Sequence, residues 1–211
     1  MVTPIALRPV LAAAGCLTAL LGLSGAAWAA DCITPDQVKT GLHVEYQGGA
    51  GVEVRLLPNG LIELRELDRA EGGGDLRYLS RFGVYDLEAS LAADGDNATE
   101  HRVIYDYGGL PLPEPASGGT AWVGPVTVRF PDGQTEAQTA AYVFGSDQSV
   151  DLGGCSYDAV TVDATFLRTN GWEGQKFLFF PDLGFATLVG RSGPDQDKTD
   201  FPIAAMRPVQ G

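Results

Sequence analysis

The chain has 211 residues and a formal net charge of −13, from 27 acidic and 14 basic side chains, with 45% hydrophobic residues. That length supports one domain with a substantial core. The negative balance repels phosphate backbones and anionic lipid headgroups, so neither nucleic acid nor an acidic membrane surface is an expected partner.

Residues 1–30 carry the three parts of a secretory signal peptide. Arg8 is the only charge, an apolar stretch runs from Val10 to Ala27, and Ala27-Trp28-Ala29 or Trp28-Ala29-Ala30 supplies small residues for cleavage. The apolar stretch approaches the roughly 17 to 25 residues a bilayer span needs. Gly15, Gly22, Ser24 and Gly25 weaken it as a span, and no basic flank follows. Cleavage removes Arg8 and no acidic residue, taking the charge to −14. The expected destination is the periplasm or the exterior, with no membrane span left after cleavage. A lipoprotein anchored at Cys16 is the minor alternative: Ala13-Ala14-Gly15 precedes Cys16, but the usual Leu three positions before it is missing.

Cys32 and Cys155 remain after cleavage. In an oxidising compartment two thiols most simply form one disulfide, and no Cys-x-x-Cys spacing points to a redox role. One short helix is expected next. Thr34 offers an N-cap, Pro35 stands at the first helical position, Asp36 adds early negative charge, Gln37 completes a capping box, and Gly41 ends the segment.

The remainder alternates with period two. Val52-Glu53-Val54-Arg55-Leu56 and Ile62-Glu63-Leu64-Arg65 flank Pro58-Asn59-Gly60. A three-residue loop there pairs Arg55 with Glu63 and Val54 with Leu64, keeping charge opposite charge and apolar opposite apolar. Asp132-Gly133 is expected to form a two-residue loop, with Arg129 opposite Glu136 and Val128 opposite Ala137. Thr169-Asn170-Gly171-Trp172 forms a third turn, with Arg168 opposite Glu173. Further strands are expected near 41–47, 76–91, 100–107, 141–151, 156–168, 175–180 and 185–190, and the C-terminal Arg207–Gly211 is expected to fray. Turn clusters at Glu71–Gly74, Asp94–Asn97 and Gly193–Asp195 separate them.

The expected fold is all-β. An antiparallel meander of about ten strands forms a barrel or half-barrel, with a β-sandwich as the alternative, in a single domain spanning 31–211. The Pro- and Gly-rich stretch from Leu110 to Gly119 interrupts this domain without dividing it.

Signals for catalysis are sparse. The two histidines, His43 and His101, fall in expected strands, and no Gly-x-Ser-x-Gly follows residue 30. Zinc lacks a ligand set. Asp94-Gly95-Asp96-Asn97 and Asp195-Gln196-Asp197-Lys198-Thr199-Asp200 begin like calcium loops but miss the sixth-position Gly and the twelfth-position Glu. No metal or cofactor is therefore expected. Asn97-Ala98-Thr99 matches a glycosylation sequon that the bacterial-type leader makes irrelevant. Aromatic residues carry more information, because Phe177-Leu178-Phe179-Phe180 is apolar on both faces of its strand. Such a strand is buried on both sides or lines an apolar cavity. Tyr105, Trp122, Phe177 and Phe179 are the candidate ligand-binding residues. The function they suggest is an exported, non-enzymatic protein that binds an apolar or amphiphilic small molecule. A structural partner of another envelope protein, and a hydrolase using a carboxylate pair, are the alternatives.

Overall fold

The computed structural model describes residues 32–67, 75–92, 101–115, 118–194 and 196–209. The leader 1–30 with Cys16, the turn clusters Glu71–Gly74 and Asp94–Asn97, the sequon at Asn97 and the turn residue Asp195 lie outside them.

The single helix, α1 (Pro35–Thr40), is local chemistry. The Thr34 N–H donates to Gln37 Oε1 at 2.8 Å, Pro35 opens the first turn, and Gly41 closes the helix at φ 121°. Val38 is its one fully buried side chain.

Thirteen strands follow among the described residues, three more than the sequence pattern marks out. They are β1 (Leu42–Tyr46), β2 (Gly51–Leu56), β3 (Ile62–Glu66), β4 (Asp75–Arg81), β5 (Tyr85–Ala92), β6 (Val103–Asp106), β7 (Ala121–Arg129), β8 (Thr135–Leu152), β9 (Cys155–Arg168), β10 (Gly171–Phe180), β11 (Phe185–Gly193), β12 (Gln196–Asp200) and β13 (Ile203–Pro208). Every strand from β1 to β12 pairs antiparallel with its sequence neighbour, and β13 returns to pair with β1. The result is one open sheet with β12 and β13 at its edges, a half-barrel rather than a closed barrel or a sandwich. Only Phe201 and Pro202 separate the two edge strands in sequence. Their backbone is tied to both flanks, because Phe201 N–H donates to Val189 O and Gln47 N–H donates to Pro202 O, each at 2.8 Å.

The first hairpin has the expected register: Arg55 opposes Glu63, Val54 opposes Leu64 and Glu53 opposes Arg65. Gly60 takes the left-handed position at φ 80°, and Leu57 N–H donates to Leu61 O at 2.8 Å. The second hairpin differs from expectation. Arg129 opposes Thr135 and Val128 opposes Glu136, so Val126 and Val128 share a face with Gln138 and Ala140. A two-residue Asp-Gly turn needs φ > 0 at both residues. Here only Gly133 is left-handed, at φ 83°, and Pro131-Asp132-Gly133 repeats the three-residue loop of the first hairpin. At the third turn Arg168 opposes Gly171 rather than Glu173, although its Nη2 still reaches Glu173 Oε2 diagonally at 2.7 Å.

Other corrections concern strand ends. The span 76–91 is two strands, broken at Phe82-Gly83-Val84. Asp197 and Asp200, read as a failed calcium loop, belong to β12. His101 is exposed and precedes β6, whereas His43 does lie on β1. Of the C-terminal residues expected to fray, Arg207 and Pro208 belong to β13 and the Val209 N–H donates to Gly41 O at 2.9 Å, while 210–211 lie outside the described residues. Ile203–Pro208 covers the outer backbone of β1, with Val44 opposite Met206 and an Arg207–Glu45 ion pair fastening the edge. An uncovered β1 would expose a row of unpaired backbone groups.

Cys32 and Cys155 form a disulfide with Cα atoms 5.5 Å apart, joining the segment before α1 to the start of β9. The Ile33 N–H donates to Tyr157 Oη beside it, at 2.9 Å. Two apolar clusters fill the concave side of the sheet. One gathers α1, β1, β2 and β3 around Leu42, Val54, Ile62, Phe180 and Phe185. The other gathers β5 to β11 around Tyr85, Tyr142, Phe144, Val162, Phe177 and Phe179.

Candidate functional site

A cavity of about 230 Å³ draws its lining from both clusters. Tyr46, Val52 and Leu64 approach from the first, and Tyr105, Tyr107, Phe166, Phe177 and Leu188 from the second. Every strand from β1 to β11 except β7 contributes to it. Polar side chains complete the wall: Glu66, Tyr78, Asp86, Gln138, Arg168, Glu173, Gln175, Thr187 and Arg191.

The strands place these polar groups by simple alternation. On β3 the inward row is Ile62, Leu64, Glu66, so a carboxylate follows two buried apolar residues. On β8 the inward row starts at Gln138 and continues Ala140, Tyr142, Phe144, and on β9 it runs Ala164, Phe166, Arg168. Asp86 arrives differently. Ala89 opposes Tyr78 and Glu88 opposes Leu79, so regular pairing would set Leu87 opposite Ser80. The register shifts there, Asp86 takes the place opposite Ser80, and a carboxyl joins the Tyr78 face of the sheet.

Ion pairing across the cavity is uneven. Arg168 Nη2 lies 2.7 Å from Glu173 Oε2 and its Nε 3.6 Å from Glu136 Oε1. Arg191 Nη2 stands 3.7 Å from Glu66 Oε1, and its Nε is buried without a hydrogen-bond partner among the described residues. Tyr46 Oη and Thr187 Oγ1, 2.6 Å apart, join β1 to β11 across the interior. Tyr107 and Tyr142 pair their hydroxyls at 3.1 Å.

Burial pushes the Asp86 carboxyl up to about 7; Ser80 and Arg191 oppose the rise, and Glu66 and Glu173 reinforce it. Asp86 keeps an intermediate exposure because its open side is the cavity. Burial also raises the Tyr105 phenol to about 12, and lifts Tyr78 and Tyr107 further, with the Asp86 charge adding to each.

A raised acid binds its proton more tightly folded than unfolded. The stability it contributes is complete below about 3.8 and is lost as pH rises through about 7. Asp86→Asn is therefore expected to flatten the fall in stability between pH 4 and 8. At pH 8 it should exceed the wild type by on the order of 2–4 kcal/mol. Urea unfolding across that range checks it, and parallel pH profiles for the two proteins would refute it.

The four aromatic residues singled out in the sequence divide. Tyr105 and Phe177 line the cavity. Phe179 is fully buried and meets Phe82 edge-on at 6.4 Å. Trp122 joins a ring cluster with Tyr85, Tyr107 and Tyr142 at 5.8–6.2 Å, and its Nε1–H donates to Pro111 O at 3.0 Å. Glu66, Asp86, Arg168, Glu173 and Arg191 escaped the sequence reading. For Glu66 and Arg168 a signal existed, a charge continuing an apolar period-two row. Among the described residues no group of three or more His, Cys, Asp or Glu is placed to hold a metal ion, and no helix is long and apolar enough to cross a membrane.

The fold and cavity together define a class: an open, thirteen-stranded antiparallel half-barrel enclosing a mixed polar and apolar pocket. No protein-family model and no curated protein matches the chain. Among solved structures it is similar to the hypothetical lipoprotein YmcC from Escherichia coli (K12), at 11% identity and a TM-score of 0.41, covering 79% of this chain and 81% of that one. Likeness at that level carries no weight for the chemistry of the cavity, which rests on this chain's own side chains.

Proposed function

We propose that the protein is exported to the cell envelope and holds an amphiphilic small molecule in the cavity between its two apolar clusters, without acting on it chemically. One observation carries this reading: ten strands converge on a cavity whose wall combines Leu64, Phe166, Phe177 and Leu188 with five charged side chains. Pockets of that make-up bind ligands through apolar burial and orient them with a few polar contacts. The signal-like leader and the Cys32–Cys155 disulfide support the location, since disulfides persist in oxidising compartments.

A second reading, a structural partner of another envelope protein, has its own supporting observation. The outward face of β7 to β10 presents Val123, Val143, Leu167 and Trp172 at 63%, 49%, 51% and 40% exposure. Leu167 and Trp172 are direct cross-strand partners on that face, and exposed apolar patches mark contact surfaces.

Native mass spectrometry of the protein purified after export separates the two. A ligand carrier is expected to show a small added mass that disappears on denaturation, on a chain beginning at Ala30 or Asp31. An added protein mass favours the partner reading. A bare chain that also fails to take up any small amphiphile overturns the carrier.

A further inference from the structure

Outside the cavity, a groove of about 510 Å³ lies at the sheet rim between the β7–β8 and β9–β10 hairpins, with Pro194 of the β11–β12 turn completing its wall. The two hairpins are internally braced. In the β7–β8 loop Phe130 N–H donates to Gln134 O at 2.9 Å and Gly133 N–H to Phe130 O at 3.0 Å. In the β9–β10 turn Arg168 Nη2 meets Glu173 Oε2 at 2.7 Å. A braced groove spares a ligand the cost of ordering its walls.

Its rings and neutral polar side chains have no partner among the described residues. Phe130 and Trp172 are 37% and 40% exposed, and neither packs against another ring, whereas Trp122 meets three tyrosine rings. The Trp172 indole N–H donates to no described residue, whereas that of Trp122 is committed to Pro111 O. The amides of Gln134 and Asn170 and the hydroxyls of Thr135 and Thr169 are likewise unengaged. Turn chemistry does not account for Asn170. Asn59, Asp106 and Asp132 each accept a backbone N–H two residues ahead, as turn residues do, and Asn170 does not. The charges in the groove are the opposite case. Arg168 is held by Glu173 and Glu136, and Glu136 also accepts from Gln138 Nε2 at 3.1 Å.

We propose that this groove binds a neutral oligosaccharide of pyranose rings, one ring face against Trp172 and another against Phe130, with hydroxyls bonded to Gln134, Thr135, Thr169 and Asn170. A pyranose is apolar on its C–H faces and polar around its edge, and the groove presents the matching pair of surfaces. A phosphate or sulfate would need a spare cation, which Arg168 is not, and the net charge of −13 repels it. An ammonium would need a spare carboxylate, and Glu136 is held by Arg168 and Gln138. A cavity of about 150 Å³ admits one benzene ring, so about 510 Å³ has room for roughly two sugar rings. The site goes beyond the carrier reading. Among the described lining residues only Arg168 is shared with the interior cavity, and Phe130, Asn170 and Trp172 lie outside it.

Heteronuclear NMR of the protein purified after export, titrated with maltotriose, cellotriose and N,N′-diacetylchitobiose, tests the proposal. At least one of these is expected to bind in the millimolar range or tighter and to move the Trp172 indole N–H resonance while that of Trp122 stays in place. Trp172→Ala and Phe130→Ala should each lower the affinity about tenfold or more, Trp172→Phe less, and Asn170→Ala about threefold. Val143→Ser, on the same outward face but outside the groove, should leave the affinity unchanged. Sorbitol, rich in hydroxyls but without a ring face, should bind at least about tenfold more weakly than the sugar. The proposal is overturned if none of the three sugars binds, if sorbitol binds as well as they do, if both alanine variants keep their affinity, or if Val143→Ser loses as much as Trp172→Ala. Each of those results leaves the carrier reading standing, because the substituted residues do not line the cavity.

Discussion

Gly83→Ala is expected to destabilise the protein by about 2–4 kcal/mol, the sum of roughly 1 for a left-handed backbone and 1–3 for forced packing. Gly83 sits in the turn between β4 and β5 at φ 72°. A Cβ built there would stand 2.3 Å from Ala186 O and 2.8 Å from Ala186 N, backbone atoms that cannot rotate away. The contact is not incidental. Ala186 N–H donates to Phe82 O at 2.8 Å, so this turn docks onto the start of β11, about a hundred residues further along the chain. The docking ties the turn before β5, which carries Asp86, to β11, which carries Thr187 and Arg191, three residues that line the cavity. Gly60→Ala provides the control. Gly60 is left-handed too, at φ 80°, but an added Cβ would meet nothing within 4 Å, so its cost should stay near 1 kcal/mol. Urea midpoints of the two variants check the difference. Equal losses would mean that the turn does not rest on β11.

Breaking the Cys32–Cys155 bridge, by Cys155→Ser or by reduction, is expected to cost about 2–5 kcal/mol. The bridge spans 123 residues of sequence, and loops of that order lie near the ~4.7 kcal/mol ceiling of the chain-entropy account. It also secures α1, whose buried Val38 packs in the same cluster as Leu42 and Phe180. Reductant should lower the urea midpoint of the wild type and leave that of Cys155→Ser unmoved. An unshifted wild-type midpoint would show that α1 is held by packing alone.

Much of the framework was legible because it depends on neighbours in sequence. The capping box and terminal glycine around α1 act within one turn of chain. The pairing of β2 with β3 follows from charge opposite charge across a three-residue loop. The Phe177-Leu178-Phe179-Phe180 stretch announced a strand buried on both faces, and the disulfide followed from having just two cysteines after residue 30. Where two turn solutions differed by one residue, local signals were not enough. Asp132-Gly133 suits a two-residue turn by composition, but the strand partners selected the three-residue loop, which needs only Gly133 to be left-handed.

The amino-acid sequence by itself therefore determined an all-β, antiparallel chain with one capped helix and one disulfide, because period-two alternation and turn chemistry act over a few residues. The tertiary structure alone decided which side chains share the cavity. Strict alternation would have set Leu87, not Asp86, opposite Ser80, and only the shifted pairing of β4 with β5 brings a carboxyl there. Phe177 and Phe179 look equivalent in sequence, yet one lines the cavity and the other is enclosed against Phe82. The C-terminal strand became the partner of β1 because the curled sheet brought a bare edge to it. These outcomes depend on contacts between segments remote in sequence, and no local pattern encodes which remote segment will arrive.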